Sequence, residues 1–137
     1  MNRGVVFAEK EQYEEAITDF TDAIIMAPYW DSLYVNRGNA FEKTGRQAEA
    51  MKDYSEAVRL KPDYYKPYFL RGKLNEALGL YDEAIKDLDK AIGLNAPGSG
   101  ASAFYVRGNA YLSKKMYERA ISDYGKAIEM NPRVAGI

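Results

Sequence analysis

The side chains that could do chemistry in this chain are carboxylates, lysines, arginines, amides and phenols, because its 137 residues include no histidine and no cysteine. Histidine is the commonest general base and metal ligand, and cysteine supplies thiol nucleophiles and thiolate zinc sites. An enzyme built from this chain would need a convergent pair of Asp, Glu or Lys side chains. The acidic residues instead recur at regular intervals. We therefore predict no catalytic residue, no metal site and no cofactor.

Four arginines each precede an aspartate by sixteen residues, which indicates either ion pairs or a basic stripe for an acidic ligand. The pairs are Arg3 and Asp19, Arg37 and Asp53, Arg71 and Asp87, and Arg107 and Asp123. A ligand stripe would not need a matching carboxylate each time. We therefore expect ion pairs, within or between structural units, that fix the angle of neighbouring helices. Exposed pairs of this kind contribute only about 0–1 kcal/mol each.

The elements that position these residues belong to a repeat. The tetrapeptide RGNA occurs at 37–40 and again at 107–110, and Arg-Gly also occurs at 3–4 and 71–72. Successive copies are 34, 34 and 36 residues apart, so the last interval contains a two-residue insertion. The chain is therefore four copies of one unit.

Every unit has small, apolar and proline residues in the same order. A glycine is followed twelve residues later by an alanine, then by a ring or leucine four residues on, by a second alanine, and finally by a proline. In chain order the columns are Gly4, Gly38, Gly72 and Gly108; Ala16, Ala50, Ala84 and Ala120; Phe20, Tyr54, Leu88 and Tyr124; Ala23, Ala57, Ala91 and Ala127; and Pro28, Pro62, Pro97 and Pro132. Each half of a unit has apolar residues at i, i+3, i+4 and i+7. This spacing predicts two amphipathic helices per unit, joined by turns such as TGRQ at 44–47 or LGLY at 78–81.

The glycine column has a packing explanation. Glycine inside a helix costs about 0.5–1 kcal/mol relative to alanine, so it is worth keeping only where a methyl group would collide. We expect each glycine to face an alanine of the second helix at the point where the two helices cross. The proline then ends the second helix, because it cannot continue the hydrogen-bond ladder.

These columns resemble the tetratricopeptide repeat (TPR) family, whose unit of roughly 34 residues has Gly, Ala, aromatic, Ala and Pro in this order. The resemblance covers residues 1–134. It implies an all-α fold, a right-handed superhelical α-solenoid of antiparallel helix hairpins. It also implies a single TPR domain over residues 1–137, with repeats at about 1–30, 31–64, 65–98 and 101–134.

Two places depart from the family pattern. The aromatic column Phe7, Phe41 and Tyr111 has Asn75 in repeat three, which we expect to be a soft spot in the packing. Repeat one starts late, with Met1 already inside its first helix.

The resemblance also implies where a partner would bind. Stacked hairpins present an extended concave surface, and TPR proteins generally line this groove with the first helix of each hairpin. The candidate peptide-binding residues are Val35, Asn36, Asn39, Lys66, Phe69, Lys73, Tyr105 and Asn109. Asparagine amides match a peptide backbone in both directions, the two rings could hold an apolar anchor, and the two lysines could meet a carboxylate. A solvated helix face also carries Asn and Lys, so that alternative stays open.

The leading functional prediction is a non-catalytic scaffold that binds an extended peptide or partner segment in the concave groove. A co-chaperone-type adaptor is an alternative. However, the two-carboxylate clamp of Lys, Asn, Asn, Lys and Arg that some TPR domains use is matched at two of five places in repeats one to three and at one of five in repeats two to four. A further alternative is self-assembly, because solenoids need polar caps and only MNPRVAGI follows Glu129.

Charge and hydropathy narrow the class of partner. The chain has 19 Lys and Arg against 20 Asp and Glu, so we predict a protein or peptide partner, with no nucleic acid and no membrane. Self-association through the terminal helices remains an option. The absence of a signal-peptide pattern, an apolar span and cysteine favours the cytoplasm. The segment NAPGSGAS at 95–102 could hold an anion on backbone N–H groups, but we interpret it as a widened linker.

Overall fold

A computed structural model describes residues 3–94 and 100–131 of the chain, with side chains from residue 9 onward. All regular secondary structure in these residues is helical. The helices are α1 (Arg3–Met26), α2 (Asp31–Lys43), α3 (Gln47–Leu60), α4 (Tyr65–Ala77), α5 (Tyr81–Leu94), α6 (Ala101–Ser113) and α7 (Tyr117–Met130). They belong to two compact units, Met1–Pro62 and Asp63–Ile137. The predicted all-α class is confirmed, whereas the single domain of four repeats stays a prediction.

The first unit packs α1 against α2 and α2 against α3. Asp31 lies in the first turn of α2 and Lys43 in its last turn, where their charges complement the helix dipole. The Tyr34 hydroxyl donates to the carbonyl of Pro28 at 2.8 Å, which ties α2 to the loop before it. The order of helices along the chain is therefore also their order of packing in this unit.

Three helical hairpins turn with the same backbone motif. In each turn an N–H donates to the carbonyl five residues earlier, from Arg46 to Phe41, from Leu80 to Asn75 and from Met116 to Tyr111, at 2.8, 2.9 and 2.8 Å. This bond closes a Schellman motif, which needs one residue in the left-handed region. That residue is Gly45 (φ 79°), Gly79 (φ 80°) or Lys115 (φ 64°).

The helix–turn–helix predicted for every unit is wrong for repeat one. Helix α1 runs without a break for 24 residues, through the position where the turn was expected. The residue of repeat one that corresponds to Gly45 is Glu11, within the segment AEKEQYEE at 8–15. Glu, Lys, Gln and Ala are good helix formers, so this segment favours continuous helix over the left-handed backbone that Lys115 adopts at the corresponding position of repeat four. The helix therefore continues through the expected turn.

The column glycines do mark the helix crossings, but their partners differ from those expected. A Cβ added at Gly38, Gly72 or Gly108 would lie 2.7 Å from Tyr54 Cε1, 2.8 Å from Leu88 Cγ or 2.8 Å from Tyr124 Cε1, respectively. Each glycine thus lies against the large side chain of the second helix, and the expectation that it faces an alanine is wrong. Because glycine has no side chain, the ring or leucine of the second helix packs directly against the backbone of the first helix at the crossing.

The second unit brings two first helices side by side. Helix α5 packs against α4 and α6, α7 packs against α6, and α4 also contacts α6. The core cluster comprises Ala84, Leu88, Ala103, Val106 and Ala110, with Phe69, Tyr81, Ile85, Ile92 and Tyr105 packed against it. Phe69 and Tyr105, two of the predicted binding residues, therefore lie on one shared core.

Candidate functional site

The predicted Arg–Asp pairs form in repeats two, three and four. Nε of Arg37, Arg71 and Arg107 donates to Oδ2 of Asp53, Asp87 and Asp123, at 2.8 Å in each case. Nη2 of the same arginines donates to Oδ1 at 2.7, 2.8 and 2.7 Å. Each pair is a two-bond fork between a planar guanidinium and a carboxylate, the strongest geometry available to this pair of side chains. The remaining pair contains Arg3, whose side chain lies outside the described residues.

These pairs are largely removed from solvent. The aspartate side chains are 5%, 8% and 4% exposed and the arginine side chains 18%, 23% and 16%. The hydrogen bond to Asp53 raises the pKa of Arg37, and that to Asp123 raises the pKa of Arg107. Because their forks are occupied by buried carboxylates, the arginines serve the packing of helices, as the ion-pair interpretation predicts.

The third guanidinium nitrogen of Arg37 and of Arg107 links the arginine to the preceding helix. Arg37 Nη1 donates to Thr21 Oγ1 of α1 at 3.2 Å, and Arg107 Nη1 donates to Asp89 Oδ1 of α5 at 2.8 Å. Arg37 therefore joins α1, α2 and α3, and Arg107 joins α5, α6 and α7. One side chain thus sets the spacing of three helices.

Asn75 is not the soft spot that its place in the aromatic column suggested. Its side chain is 6% exposed, and Nδ2 donates to Asp87 Oδ2 at 3.2 Å. In repeats two and four this column has an aromatic ring, Phe41 or Tyr111, which lies against the guanidinium of Arg37 or Arg107. Asn75 replaces that contact with the guanidinium by a hydrogen bond to its carboxylate partner.

The candidate binding residues of the first unit differ in exposure. Asn36 is exposed and Asn39 is half-buried, so the polar groups of both are within reach of a ligand. Val35 is 4% exposed and belongs to the core. Its side chain is therefore left out of the surface that is proposed below.

The candidates of the second unit form one face of α4 and α6. Lys66 and Lys73 are exposed, two helical turns apart on α4. Phe69 lies between them in sequence, and both it and Tyr105 are half-buried against the core cluster. Within the described residues neither lysine pairs with a carboxylate. Two ammonium groups thus flank an aromatic surface with no internal counter-ion.

The two RGNA asparagines each contact a tyrosine fifteen residues later. The Tyr54 hydroxyl lies 2.8 Å from Asn39 Oδ1 and 2.9 Å from Glu42 Oε1. The Tyr124 hydroxyl lies 2.6 Å from Asn109 Oδ1, and its ring centroid lies 5.8 Å from that of Tyr105. In these two hairpins, the second helix therefore holds an amide of the first helix in place.

The sequence contains a signal for these contacts that the repeat analysis missed. At the position directly after the crossing glycine, asparagine occurs only where tyrosine follows fifteen residues later. The four combinations are Val5 with Phe20, Asn39 with Tyr54, Lys73 with Leu88, and Asn109 with Tyr124. The amide thus occurs in the repeats whose second helix has a tyrosine hydroxyl to hydrogen-bond with it.

The outer face of α7 is apolar and uncovered. Tyr117, Ile121 and Ile128 are 55%, 70% and 37% exposed. The corresponding residues of α5, which are Tyr81, Ile85 and Ile92, pack against the core cluster that α6 completes. The same pattern of side chains is therefore covered on α5 and exposed on α7.

The described residues contain no cluster of three or more His, Cys, Asp or Glu that could hold a metal ion. Among the same residues, no helix has both the length and the hydropathy to cross a bilayer. The predicted linker at 95–102 lies largely outside the described residues, which resume at Gly100.

Three segments of the chain match models of the same protein family. Models of the tetratricopeptide repeat match residues 65–97 and 101–134, and a TPR repeat model matches residues 38–79. Together these matches extend from repeat two to repeat four. No curated protein matches the chain.

Solved structures with the same fold include two at 25% identity or above. MamA is 25% identical with a TM-score of 0.83, over 96% of this chain and 76% of MamA. YrrB, a TPR protein with an unusual peptide-binding site, is 29% identical with a TM-score of 0.78, over 94% of this chain and 66% of YrrB. The TPR domain of OM64 from Arabidopsis is 24% identical with a TM-score of 0.70, over 74% of this chain and 83% of that domain, and shows the fold alone.

Proposed function

Because the chain belongs to the tetratricopeptide repeat family, we propose that it is a non-catalytic scaffold that binds an extended segment of a partner protein along the first helices of its hairpins. The TPR fold supports a protein–protein interaction scaffold in general. The proposal adds the location, which is the exposed face of α4 and α6 in the second unit, with the exposed face of α2 in the first unit as a separate binding face.

The proposal depends above all on the face of α4 and α6. Phe69 and Tyr105 offer half-buried ring surface, and Lys66 and Lys73 lie in the same part of the helix with no internal carboxylate partner. An aromatic surface fixed by a core costs little conformational entropy on binding, and unpaired ammonium groups attract carboxylates. We expect a partner segment with an apolar anchor and at least one acidic residue.

Asn109 adds an amide to the face of the second unit, and Asn36 and Asn39 supply the amides of the α2 face in the first unit. A segment in extended conformation exposes its backbone N–H and C=O groups, and an asparagine amide can bond to either. Such contacts add affinity without demanding a particular side chain from the ligand. The similarity to YrrB, which has a peptide-binding site, supports this mode of binding without locating it on the present chain.

The test is a peptide selected from a random phage-displayed library against the full chain, followed by its Kd for matched variants. Lys66→Ala combined with Lys73→Ala removes the two exposed ammonium groups of α4. We expect its Kd to rise about tenfold, the equivalent of about 1.4 kcal/mol. Lys52→Ala combined with Lys90→Ala removes two exposed lysines of the second helices and should leave the Kd unchanged.

Two results would contradict this proposal. One is an equal loss of affinity in both double variants, which would indicate a general effect of charge. The other is full affinity in the α4 variant together with loss in the control, which would place the site on the second helices.

Self-assembly is the second candidate, and the exposed face of α7 is the observation that favours it. A helix with small residues, as Ala103, Val106 and Ala110 present in α6, covers the equivalent face of α5. A second copy could cover Tyr117, Ile121 and Ile128 in the same way. Sedimentation velocity should then show a dimer or longer species that Ile121→Glu dissociates. A chain that stays monomeric at high concentration would contradict self-assembly and leave peptide binding untouched.

A further inference from the structure

The two asparagines of the proposed surface have different hydrogen-bonding neighbours. Asn39 shares the Tyr54 hydroxyl with Glu42, whose Oε1 lies 2.9 Å from the phenol oxygen. In α6 the residue that corresponds to Glu42 is Leu112. Asn109 is thus the single acceptor that the structure gives to the Tyr124 hydroxyl among the described residues. The same amide–phenol contact therefore has a carboxylate at hydrogen-bond distance in repeat two and a leucine at the corresponding sequence position in repeat four.

The number of hydrogens on the phenol and the carboxylate determines the direction of these hydrogen bonds. A phenol has one hydrogen to donate, whereas an ionised carboxylate can only accept. If Tyr54 donated to Asn39, the carboxylate would face the phenol oxygen at 2.9 Å with no hydrogen between them. The hydrogen therefore goes to Glu42, since a bond to a charged acceptor is roughly twice as strong as a neutral one.

The remaining contact of Tyr54 must then run in the opposite direction. With its hydrogen committed, the phenol oxygen can only accept, and the nearby group of Asn39 must be a donor. Rotating the amide by half a turn exchanges Oδ1 and Nδ2 without moving any other atom. Asn39 thus places Nδ2 toward Tyr54 and Oδ1 toward solvent. No carboxylate of the described residues hydrogen-bonds to the Tyr124 hydroxyl, although burial and the nearby charges of Tyr105 and Glu76 raise its pKa, so Asn109 accepts the Tyr124 hydrogen on Oδ1 and leaves Nδ2 outward.

We propose that Asn39 and Asn109 present opposite hydrogen-bonding groups to a bound peptide, an acceptor for a peptide N–H in repeat two and a donor for a peptide C=O in repeat four. Tyr54 with Glu42, and Tyr124 alone, are the positioning residues. The part of this inference that concerns a peptide rests on the proposed function. The orientation of the two amides belongs to the free chain.

The environment of Tyr54 is consistent with a hydrogen that stays in place. Its side chain is fully buried. Burial, followed by the hydrogen bond to Glu42, raises the pKa of the phenol above its ordinary value. The hydroxyl therefore remains protonated at physiological pH, and Glu42 and Asn39 compete for one hydrogen under all such conditions.

The orientation is tested by the hydrogen exchange of asparagine side-chain amides in the ¹⁵N-labelled full chain. A hydrogen of Asn39 Nδ2 bonded to Tyr54 should exchange about threefold to tenfold more slowly than those of Asn109, the factor expected from one net hydrogen bond. Glu42→Leu should abolish the difference by freeing the Tyr54 hydrogen for Asn39. Leu112→Glu should create protection at Asn109, and because Leu112 is 47% exposed, the fold should tolerate the change.

Glu42→Gln keeps the size of the side chain but removes the charge that favours Glu42 over Asn39 as the acceptor of the Tyr54 hydrogen, so it should also lower protection at Asn39. Equal exchange at Asn39 and Asn109, unchanged in the two variants that exchange glutamate and leucine, would overturn the inference. Circular dichroism of each variant excludes unfolding as the cause of faster exchange.

Two small amides test the polarity of the surface toward a ligand. N-methylacetamide has both an N–H and a C=O group, whereas N,N-dimethylacetamide has only the C=O group. Both should shift the Asn109 Nδ2 resonance. Only N-methylacetamide should perturb Asn39, and equal responses there to the two probes would overturn the proposed polarity. These measurements need no partner, so a negative result would not affect the proposal that the chain binds a peptide. Conversely, full peptide affinity in the Lys66 and Lys73 double variant would not affect the proposed orientation of the two amides.

Discussion

The buried carboxylates Asp53, Asp87 and Asp123 have the most demanding environment of any side chains in the described structure. Removing a carboxylate from water is costly, and the cost is offset only when its oxygens are fully bonded. Here both oxygens accept from one guanidinium, which in turn lies against aromatic rings such as Tyr34 and Phe41. The recurring spacing of sixteen residues is therefore a requirement of helix packing.

Replacing Asp53 by asparagine should be strongly destabilising. The Arg37 guanidinium would lose its charge partner, because asparagine offers one neutral acceptor oxygen and turns an NH2 group toward the second guanidinium nitrogen, and breaking such a buried pair typically costs about 3 kcal/mol. Urea denaturation followed by circular dichroism measures the change in the free energy of unfolding. Asp123→Asn should cost less, because Arg107 retains Asp89. Asp22→Asn, on the exposed side of α1, should change the free energy by less than about 0.5 kcal/mol. Equal effects at all three sites would contradict this account.

At the scale of the helical hairpin, glycine is required at the crossing and dispensable elsewhere. Gly38 and Gly72 face side-chain atoms that an added Cβ would approach to 2.7–2.8 Å, whereas a Cβ at Gly93 or Gly125 would meet nothing within 4 Å. All four lie inside helices. The helix penalty for glycine is thus the same at each position, and only the packing differs.

Substitution by alanine should therefore have opposite signs at the two kinds of glycine. Gly38→Ala or Gly72→Ala forces the paired helices apart and should lower the free energy of unfolding by about 1–3 kcal/mol. Gly125→Ala, in the interior of α7, should raise it by about 0.5–1 kcal/mol, because glycine weakens the interior of a helix. Thermal or urea unfolding distinguishes the two. Stabilisation by Gly38→Ala would show that the crossing has room that the structure does not indicate.

The sequence predicted the hairpins well because their determinants are local and periodic. The position of the crossing glycines, the turns at Gly45 and Gly79 and the Arg–Asp spacing all follow from residue types that recur in register. The continuous helix α1 was missed because repeat periodicity was given more weight than the helix propensity around Glu11. The amide–phenol contacts of Asn39 and Asn109 depend on which side chains meet across a hairpin, and a column-by-column comparison does not show this.

At the scale of the whole molecule, the sequence repeat predicts the family and the all-α fold, but it predicts only part of the proposed binding surface. Exposure separates Asn36 from the buried Val35, although the two are neighbours on α2. Whether a helical position faces solvent depends on the neighbouring helices, which one repeat does not specify. The sequence pattern does not show that the rings of α4 and α6 lie beside the two lysines of α4, because this arrangement results from the packing of both helices on one core.

The central claim is that a partner segment lies along the first helices of the hairpins, and a chemical-shift footprint tests it most directly. The ¹⁵N-labelled chain would be titrated with the selected peptide and the perturbed backbone amides assigned. The account predicts that the perturbations concentrate in α2, α4 and α6, around Asn39, Lys73 and Asn109. A footprint on α3, α5 and α7, or the absence of any selectable peptide, would contradict it.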